Sequence, residues 1–370
     1  MLIDSTLREG AQAYGVYLGL DAKQRVAEIL AQAGVDEMEC GWVGQEGLDE
    51  FLAWAREALP QPEIGGPALA LWCPCREADV LAASVLAQAG LIDRLNIGAP
   101  SSAAHREKRL GLSLAEMAAR VQRVVALAKT QGAPYISMGL EDISRADPDE
   151  ALILARAAVE AGAHRVRLSD TVGLLTPLAT AELVRRFVAE LPVPVALHAH
   201  NDLGLATANA VTALQSGAAF VDVCALGIGE RAGIAILEEV AAWAVLASGS
   251  GARYGLPALR GLARLVAQLA RLPLARNKAI VGEDVFAAES GLHVHGILRD
   301  PALFEPFAPE AVGATRRVGI GAKSGTAALG AATRRLKGQG RPDAGLLRRV
   351  RALASGLGRP LTDKELLGVL

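Results

Sequence analysis

The chain has 370 residues, a formal net charge of −2, 51% hydrophobic residues and only 4% aromatic residues. This length exceeds that of a typical single domain, so it predicts one large domain with an appendage. The balanced charge and the scarcity of aromatic side chains argue against a nucleic-acid-binding protein, which needs a basic surface or stacking platforms.

The four cysteines and the apolar segments indicate the compartment. The cysteines are too few and too scattered for a disulfide framework, and no signal peptide precedes Asp4. No uninterrupted apolar run is long enough to be a convincing membrane span. We therefore expect a cytoplasmic protein that binds neither nucleic acid nor membrane.

Short apolar segments alternate with longer amphipathic stretches along the first two thirds of the chain. The candidate strands are 2–4, 37–40, 68–72, 94–97, 135–139, 165–169, 193–198 and 220–224. Helical patterns lie between them, and Asp147-Pro148 and Thr176-Pro177 place proline at a first helical position. Eight such repeats over about 250 residues predict an α/β fold, a (β/α)8 TIM barrel. A doubly wound sheet is the main competitor, but no GxGxxG follows the first strand.

The barrel pattern ends near a Ser-Gly-Ser-Gly link at residues 248–251. We therefore predict a catalytic barrel over residues 1–250 and a linker with a lid-like subdomain over 251–325. Its segment 282–325 is rich in His, Gly and Pro and is expected to be irregular. A C-terminal, mostly helical subdomain is predicted over 326–370.

The strongest chemical feature is the pair His198 and His200 at the end of the seventh candidate strand. Side chains two residues apart on a strand point to the same side, so both imidazoles can face one ion. In a barrel this strand end borders the active-site loops. The alternative is a pair of structural histidines bonded to backbone carbonyls.

A second polar cluster follows the first strand, at Arg8 and Glu9. Strands one and seven are separated only by strand eight around a closed barrel, so Glu9 can join His198 and His200. Two imidazoles and one carboxylate predict a divalent metal site with open positions, for Zn, Mn, Fe, Co or Mg. The alternative is a surface ion pair between Arg8 and Glu9.

Six motifs in order along the chain resemble one enzyme family. They are DSTLREG at 4–10, LED at 140–142, SDTVG at 169–173, HAHNDLG at 198–204, GIGERAG at 227–233 and ESGLH at 289–293. Together they are similar to the acyl-CoA-dependent condensing enzymes that include homocitrate synthases and 2-isopropylmalate synthases. These are grouped with metal-dependent lyases built on the same barrel.

The resemblance implies a reaction and assigns roles to residues. Such enzymes join the methyl carbon of acetyl-CoA, the co-substrate, to the keto carbon of a 2-oxo acid and then hydrolyse the thioester. The acid would chelate a metal on Glu9, His198 and His200, and Arg8 would stabilise the alkoxide. Two further expected roles are substrate contact by Gln12 and Thr171 and proton handling by Glu141.

The resemblance also implies a catalytic base in the C-terminal part of the chain. The matching residue is His293, which would reach the substrate across a dimer interface, so a homodimer is expected. The role of His295 stays open.

Some residues bear on the choice of acceptor. Glu9 resembles the lysine-pathway homocitrate synthases. The strand-three run Leu71-Trp72-Cys73 and the run from Gly139 to Asp147 resemble the homocitrate synthases associated with nitrogen fixation, so 2-oxoglutarate is the expected acceptor. Departures from the family occur at Ala11, Ala288, Phe304 and Ala322. The distal carboxylate would be contacted by Trp72, Ser137, backbone amides, or an arginine such as Arg76 or Arg145. Another 2-oxo acid, a lyase reaction and a non-catalytic sensor are the alternatives.

Overall fold

The computed structural model describes residues 1–251, 254–340 and 342–370. They form two compact units, Met1–Pro273 and Leu274–Leu370. Within the described ranges, no helix combines the length and the apolar character that a membrane crossing requires.

The first unit contains a closed barrel of eight parallel strands in the order β1 to β8. The strands are β1 Leu2–Asp4, β2 Glu37–Trp42, β3 Ala68–Pro74, β4 Arg94–Pro100, β5 Ile136–Glu141, β6 Arg165–Asp170, β7 Val195–Ala199 and β8 Phe220–Val223. This confirms the predicted (β/α)8 barrel.

Helices follow the strands. They are α1 Leu20–Ala33, α2 Leu48–Ala58, α3 Glu77–Gln88, α4 Leu114–Thr130, α5 Pro148–Ala161, α6 Pro177–Glu190, α7 Ala206–Gln215, α8 Leu237–Leu246 and α9 Leu256–Leu269. The two predicted proline starts are confirmed, because Asp147 and Thr176 each cap the helix that follows with a side-chain oxygen. Helix α9 packs against α1 and thus belongs to the first unit, although residues 251–325 were expected to form a linker and lid.

Charged side chains fill the interior of the barrel. One layer joins Glu37 of β2 to Arg165 of β6 through two hydrogen bonds, of 2.7 and 2.9 Å. The next layer towards the carboxyl ends joins Glu39 to Arg167 at 2.9 Å, and Arg167 contacts Asp222 of β8 at 3.0 Å. Barrel interiors are usually dominated by branched apolar side chains. In this barrel, ion pairs that cross the interior replace those apolar side chains and support the residues at the carboxyl ends of the strands.

In the second unit, four α-helices of the described residues pack beside a short two-stranded sheet, β9 Ala287–Ala288 with β10 Arg317–Val318. The helices are α10 Gly291–Arg299, α11 Thr326–Lys337, α12 Ala344–Leu357 and α13 Asp363–Val369. Val294 of α10 is in its core with Leu329 and Val350. Helix α10 lies inside the segment 282–325, so the expectation of irregular structure there was wrong for these nine residues.

Candidate metal centre

Glu9, His198 and His200 converge at the carboxyl end of the barrel. One ligand atom from each residue lies within 4.8 Å of the others, and all three residues are buried. The Nε2 atoms of His198 and His200 are 3.3 Å apart, and Nε2 of His198 is 4.0 Å from Oε2 of Glu9. The structure thus brings together the three side chains that the sequence predicts as metal ligands.

Asp222 fixes the orientation of the His198 ring. Nδ1 of His198 donates to Oδ2 of Asp222 at 2.7 Å, and both groups are buried. With the proton on Nδ1, the lone pair of Nε2 faces the centre of the trio, as in carboxylate–histidine–metal arrangements. Nδ1 of His200 is buried and has no hydrogen-bond partner among the described residues.

The protonation states of this donor set fit a divalent cation. Burial and then the neighbouring His198 lower the pKa of His200 to about 3, so its imidazole is neutral. Burial opposes the ionisation of Glu9, but the neighbouring Arg8 guanidinium outweighs it and lowers the pKa of Glu9 to about 2. A neutral imidazole at His200 and an ionised carboxylate at Glu9 are forms that bind Zn, Mn, Fe or Co.

The loop after β8 closes over Glu9. The backbone N–H of Glu230 donates to Oε1 of Glu9 at 2.9 Å. A Cβ atom on Gly229 would lie 3.0 Å from both Cγ and Oε1 of Glu9, so glycine allows this close approach. The glycine-rich motif at 227–233 therefore has a structural function towards the carboxylate.

Arg8 lies beside the trio and is held by two carboxylates. Its Nη1 donates to Oε2 of Glu9 at 2.6 Å and its Nε donates to Oε2 of Glu39 at 2.7 Å. Burial alone would lower the pKa of Arg8, but Glu39 and Glu9 reverse the effect and raise it. The guanidinium is a fixed positive group next to the candidate metal position.

A cavity of about 210 Å³ opens above these residues. Gln12, Trp72, Thr171 and Glu141, all candidates from the sequence, line it. Oε1 of Gln12 accepts from Arg8 at 3.4 Å, and the Arg8 guanidinium carbon lies 5.9 Å from the centre of the Trp72 ring. The Thr171 hydroxyl accepts the backbone N–H of Asp142 at 2.8 Å, which ties two active-site loops together.

The structure does not bring Ser137 to this cavity. The residue is fully buried, and its hydroxyl accepts from Nε of Arg165 at 3.0 Å inside the barrel. Arg145 donates to Asp142 at 2.8 Å, and Arg76 donates to Asp79 at 2.5 Å. Neither arginine is among the residues that line the cavity.

Sequence reasoning missed several residues of the site. Glu39, Arg167 and Asp222 form the layer beneath it, and Arg109 lines the cavity and pairs with Glu141 at 2.8 Å. The signal for the layer was present, since Glu37 and Glu39, like Arg165 and Arg167, are charged residues two apart on apolar strands. Arg109 ends a π-helix, Ala104–Arg109, for which the sequence gives no comparable signal.

In the second unit, His293 and His295 are exposed residues of α10. Two residues apart on a helix, they point in different directions. The His293 ring lies 4.6 Å from the ring of Phe304, and a Cβ on Gly296 would lie 2.3 Å from Cε2 of Phe304. The absence of a side chain at Gly296 thus lets the Phe304 ring pack against His293.

Replacing Asp222 with Asn is expected to weaken metal binding by about 10- to 100-fold, because the His198 ring loses its charged anchor. Titration of the metal-free protein with Mn²⁺ against a chelator would measure this. Asp149→Asn is the matched control, since Asp149 is on the surface and pairs with Arg186 of α6. Equal affinities of wild type and Asp222→Asn would contradict the assigned role, provided that circular dichroism shows a folded variant.

Comparison with protein families identifies both parts of the chain. Residues 1–266 match the HMGL-like family, and residues 280–344 match the family described as homocitrate synthase post-HMGL domain-like.

Individual proteins agree with these matches. The chain is 42% identical over 329 residues to a homocitrate synthase from Frankia alni, covering 88% of this chain and 90% of that protein. It is 37% identical over 372 residues to 2-isopropylmalate synthase 2 from Caldanaerobacter subterraneus subsp. tengcongensis, covering 99% and 94%. A crystal structure of an HMG-CoA lyase from Brucella melitensis has the same fold, with a TM-score of 0.62 at 19% identity, over 73% of this chain and 98% of that one.

Proposed function

Since the chain belongs to the HMGL-like family and carries a homocitrate synthase post-HMGL domain-like region, we propose that it condenses acetyl-CoA with 2-oxoglutarate. The products are homocitrate and CoA. The chain is an enzyme, an acyl-CoA-dependent acyltransferase of the condensing type, as its named relatives are synthases. The choice of 2-oxoglutarate is supported by the Frankia alni relative and by the strand-three resemblance at Leu71–Cys73.

The observation that carries this proposal is the convergence of Glu9, His198 and His200 beside Arg8 in one cavity. These residues would hold one divalent ion. When bound, such an ion supplies Lewis-acid polarisation of the keto group and a template for the 2-oxo acid.

Arg8 is proposed to stabilise the negative charge that develops on the keto oxygen. Glu9 and Glu39 hold its guanidinium in place before the substrate arrives. Removal of one preorganised donor that faces the developing charge typically lowers kcat by about 10²- to 10³-fold. Gln12 and Thr171 are proposed to contact the substrate from the cavity wall, and Glu141 to take part in proton handling.

His293 is proposed to act as the base. It removes a proton from the methyl group of acetyl-CoA, and the electron pair of that C–H bond forms the new C–C bond to the keto carbon. The keto oxygen then takes up a proton, and water hydrolyses the thioester to release CoA. This assignment is supported by the ESGLH motif at 289–293. A homodimer remains part of the proposal and can be tested by light scattering.

A second candidate is the same reaction with another 2-oxo acid. The similarity to a 2-isopropylmalate synthase over 99% of the chain supports 2-oxoisovalerate as the alternative acceptor. Both candidates use the same metal centre and differ only in the pocket that receives the distal end of the acid.

The test is CoA release from acetyl-CoA in the presence of 2-oxoglutarate, 2-oxoisovalerate, oxaloacetate or pyruvate. We expect the highest kcat/KM with 2-oxoglutarate. A site that receives its distal carboxylate must offer a charged partner, and a pocket shaped for the branched alkyl group of 2-oxoisovalerate lacks one. A clear preference for 2-oxoisovalerate would move the protein to the second candidate. No CoA release with any acid would refute both.

A further inference from the structure

The guanidinium of Arg167 lies at the floor of the cavity that contains Glu9, His198 and His200, and only part of its hydrogen-bonding capacity is used by the protein. Its side chain is 4% exposed, and Nη1 lies 2.9 Å from Glu39 and 3.0 Å from Asp222. Nε and Nη2 are buried and have no hydrogen-bond partner among the described residues. Buried donors without a partner are costly and rare, so these two nitrogens indicate a ligand that accepts hydrogen bonds from them.

The cavity has room beside this guanidinium. Gly139 of β5 is the neighbour of Arg167 in strand register, and both residues line the cavity. A Cβ atom on Gly139 would approach the Ile97 carbonyl oxygen to only 3.5 Å and Cα of Gly98 to only 3.7 Å, both ordinary contacts. A side chain is therefore missing where one would fit, and a ligand group can occupy that volume.

Other candidate donors are less suited to a buried anion. The Ser137 hydroxyl is used by Arg165, and Arg145 pairs with Asp142 away from the cavity. Arg109 lines the cavity, but its side chain is 51% exposed and pairs with Glu141. Arg167 is thus the guanidinium in this cavity that combines deep burial with donors left unpaired in the described structure.

The charges beside Arg167 bear on what kind of ligand fits. The ion pairs next to the cavity join three carboxylates, Glu9, Glu39 and Asp222, to two guanidinium groups, Arg8 and Arg167. A bound divalent cation would give this group a net positive charge, so the cavity suits an anionic ligand. The two donors of Arg167 that have no partner among the described residues suit an anionic group in particular, because a charge-assisted hydrogen bond is stronger than one to a neutral acceptor.

We propose that Arg167 is the specificity-determining residue that binds the distal anionic group of the acceptor. The acceptor class is then a 2-oxo acid with a second carboxylate or a similar anion. The inference rests on the proposed function, which brings the 2-oxo acid end to Glu9, His198 and His200. The planar fork of a guanidinium matches a carboxylate with two parallel hydrogen bonds, and two of its nitrogens are available here.

The test measures binding rather than turnover. Calorimetric titration of the full-length protein, loaded with Mn²⁺, compares 2-oxoglutarate with pyruvate, which shares the 2-oxo acid end and has no distal anion. We expect Arg167→Met to weaken 2-oxoglutarate on the order of a hundredfold and to leave pyruvate within about threefold. Arg167→Lys keeps the charge without the fork and should give an intermediate loss.

Gly139→Ala is the second variant, because it narrows the same volume and leaves every ion pair of the network intact. It should weaken 2-oxoglutarate severalfold more than pyruvate, and it keeps the proposal testable if the Arg167 variants do not fold. Arg109→Met is the matched comparison, since it removes the same charge at the cavity mouth and should affect both acids by one common factor.

Three results would overturn the proposal. The first is a selective loss of 2-oxoglutarate affinity in Arg109→Met instead of in Arg167→Met. The second is an equal loss of affinity for both acids in Arg167→Met and Gly139→Ala, and the third is weaker binding of CoA by Arg167→Met with an unchanged affinity for 2-oxoglutarate. Failure of the proposed function is distinguishable from failure of this inference. If the protein binds 2-oxoglutarate through Arg167 but releases no CoA, the condensation is refuted and the subsite stands.

Discussion

Replacing His200 with alanine is expected to remove the bound divalent ion and to abolish condensation. Only Glu9 and His198 would remain as ligands of a trio whose atoms lie within 4.8 Å of one another. Lewis-acid stabilisation of this kind is worth several kcal/mol at the transition state, so activity should fall on the order of a thousandfold or more. Metal content by mass spectrometry and CoA release on the same preparation would measure both effects.

His164→Ala is the matched control for this loss. Nδ1 of His164 accepts the backbone N–H of Ile136, which begins β5, so the residue lies at the opposite end of the barrel from the candidate metal centre. It should therefore keep the metal content of the wild type. Stoichiometric metal and full activity in His200→Ala would refute the assigned ligand set.

Replacing His293 with alanine should lower kcat by roughly 10²- to 10⁴-fold, the range of general-base catalysis. Binding of acetyl-CoA and of the 2-oxo acid should change little, since a base acts at the transition state more than in the ground state. Exchange of the methyl protons of acetyl-CoA with deuterated water should fall with kcat. That exchange is the measurement that separates a base from a group that only holds substrate.

His295→Ala is the control, because His295 is an exposed histidine of the same helix and points in a different direction from His293. It should keep proton exchange near the wild-type rate. A rise in KM alone for His293→Ala would make His293 a binding residue, and loss of exchange in His295→Ala would transfer the role to that residue.

The barrel and the convergence of Glu9, His198 and His200 could be predicted because both depend on local periodicity. Alternating apolar segments and helix starts indicated eight repeats, and the structure contains all eight. His198 and His200 lie two apart near the end of one strand, so their shared direction follows from strand geometry. Glu9 joined them only because the barrel closes β1 against β8.

The interior ion pairs could not be predicted as pairs. Glu37 and Arg165 are separated by 128 positions, and their contact exists only because β2 and β6 face each other across the barrel. Buried strands are usually apolar, so a charged residue within one does not by itself predict a buried ion pair. Helix α10 was missed because Gly291 and Gly296 lower its helix propensity, while burial of Val294 and Ile297 stabilises it in the folded chain.

The ion pairs across the barrel also have a consequence for how the chain folds. Glu37 and Glu39 come from the first four strands, whereas Arg165 and Arg167 come from the last four. Glu37 and Glu39 keep partners within the first half, Arg94 and Arg8. A half-barrel of the last four strands would instead bury Arg165 without the carboxylate of Glu37, so this half is destabilised without the other. The last four strands expressed alone are therefore not expected to form a stable sheet. The ion pairs that cross the barrel also oppose partly open barrels in the native ensemble, and they hold the proposed metal ligands above them in a fixed register.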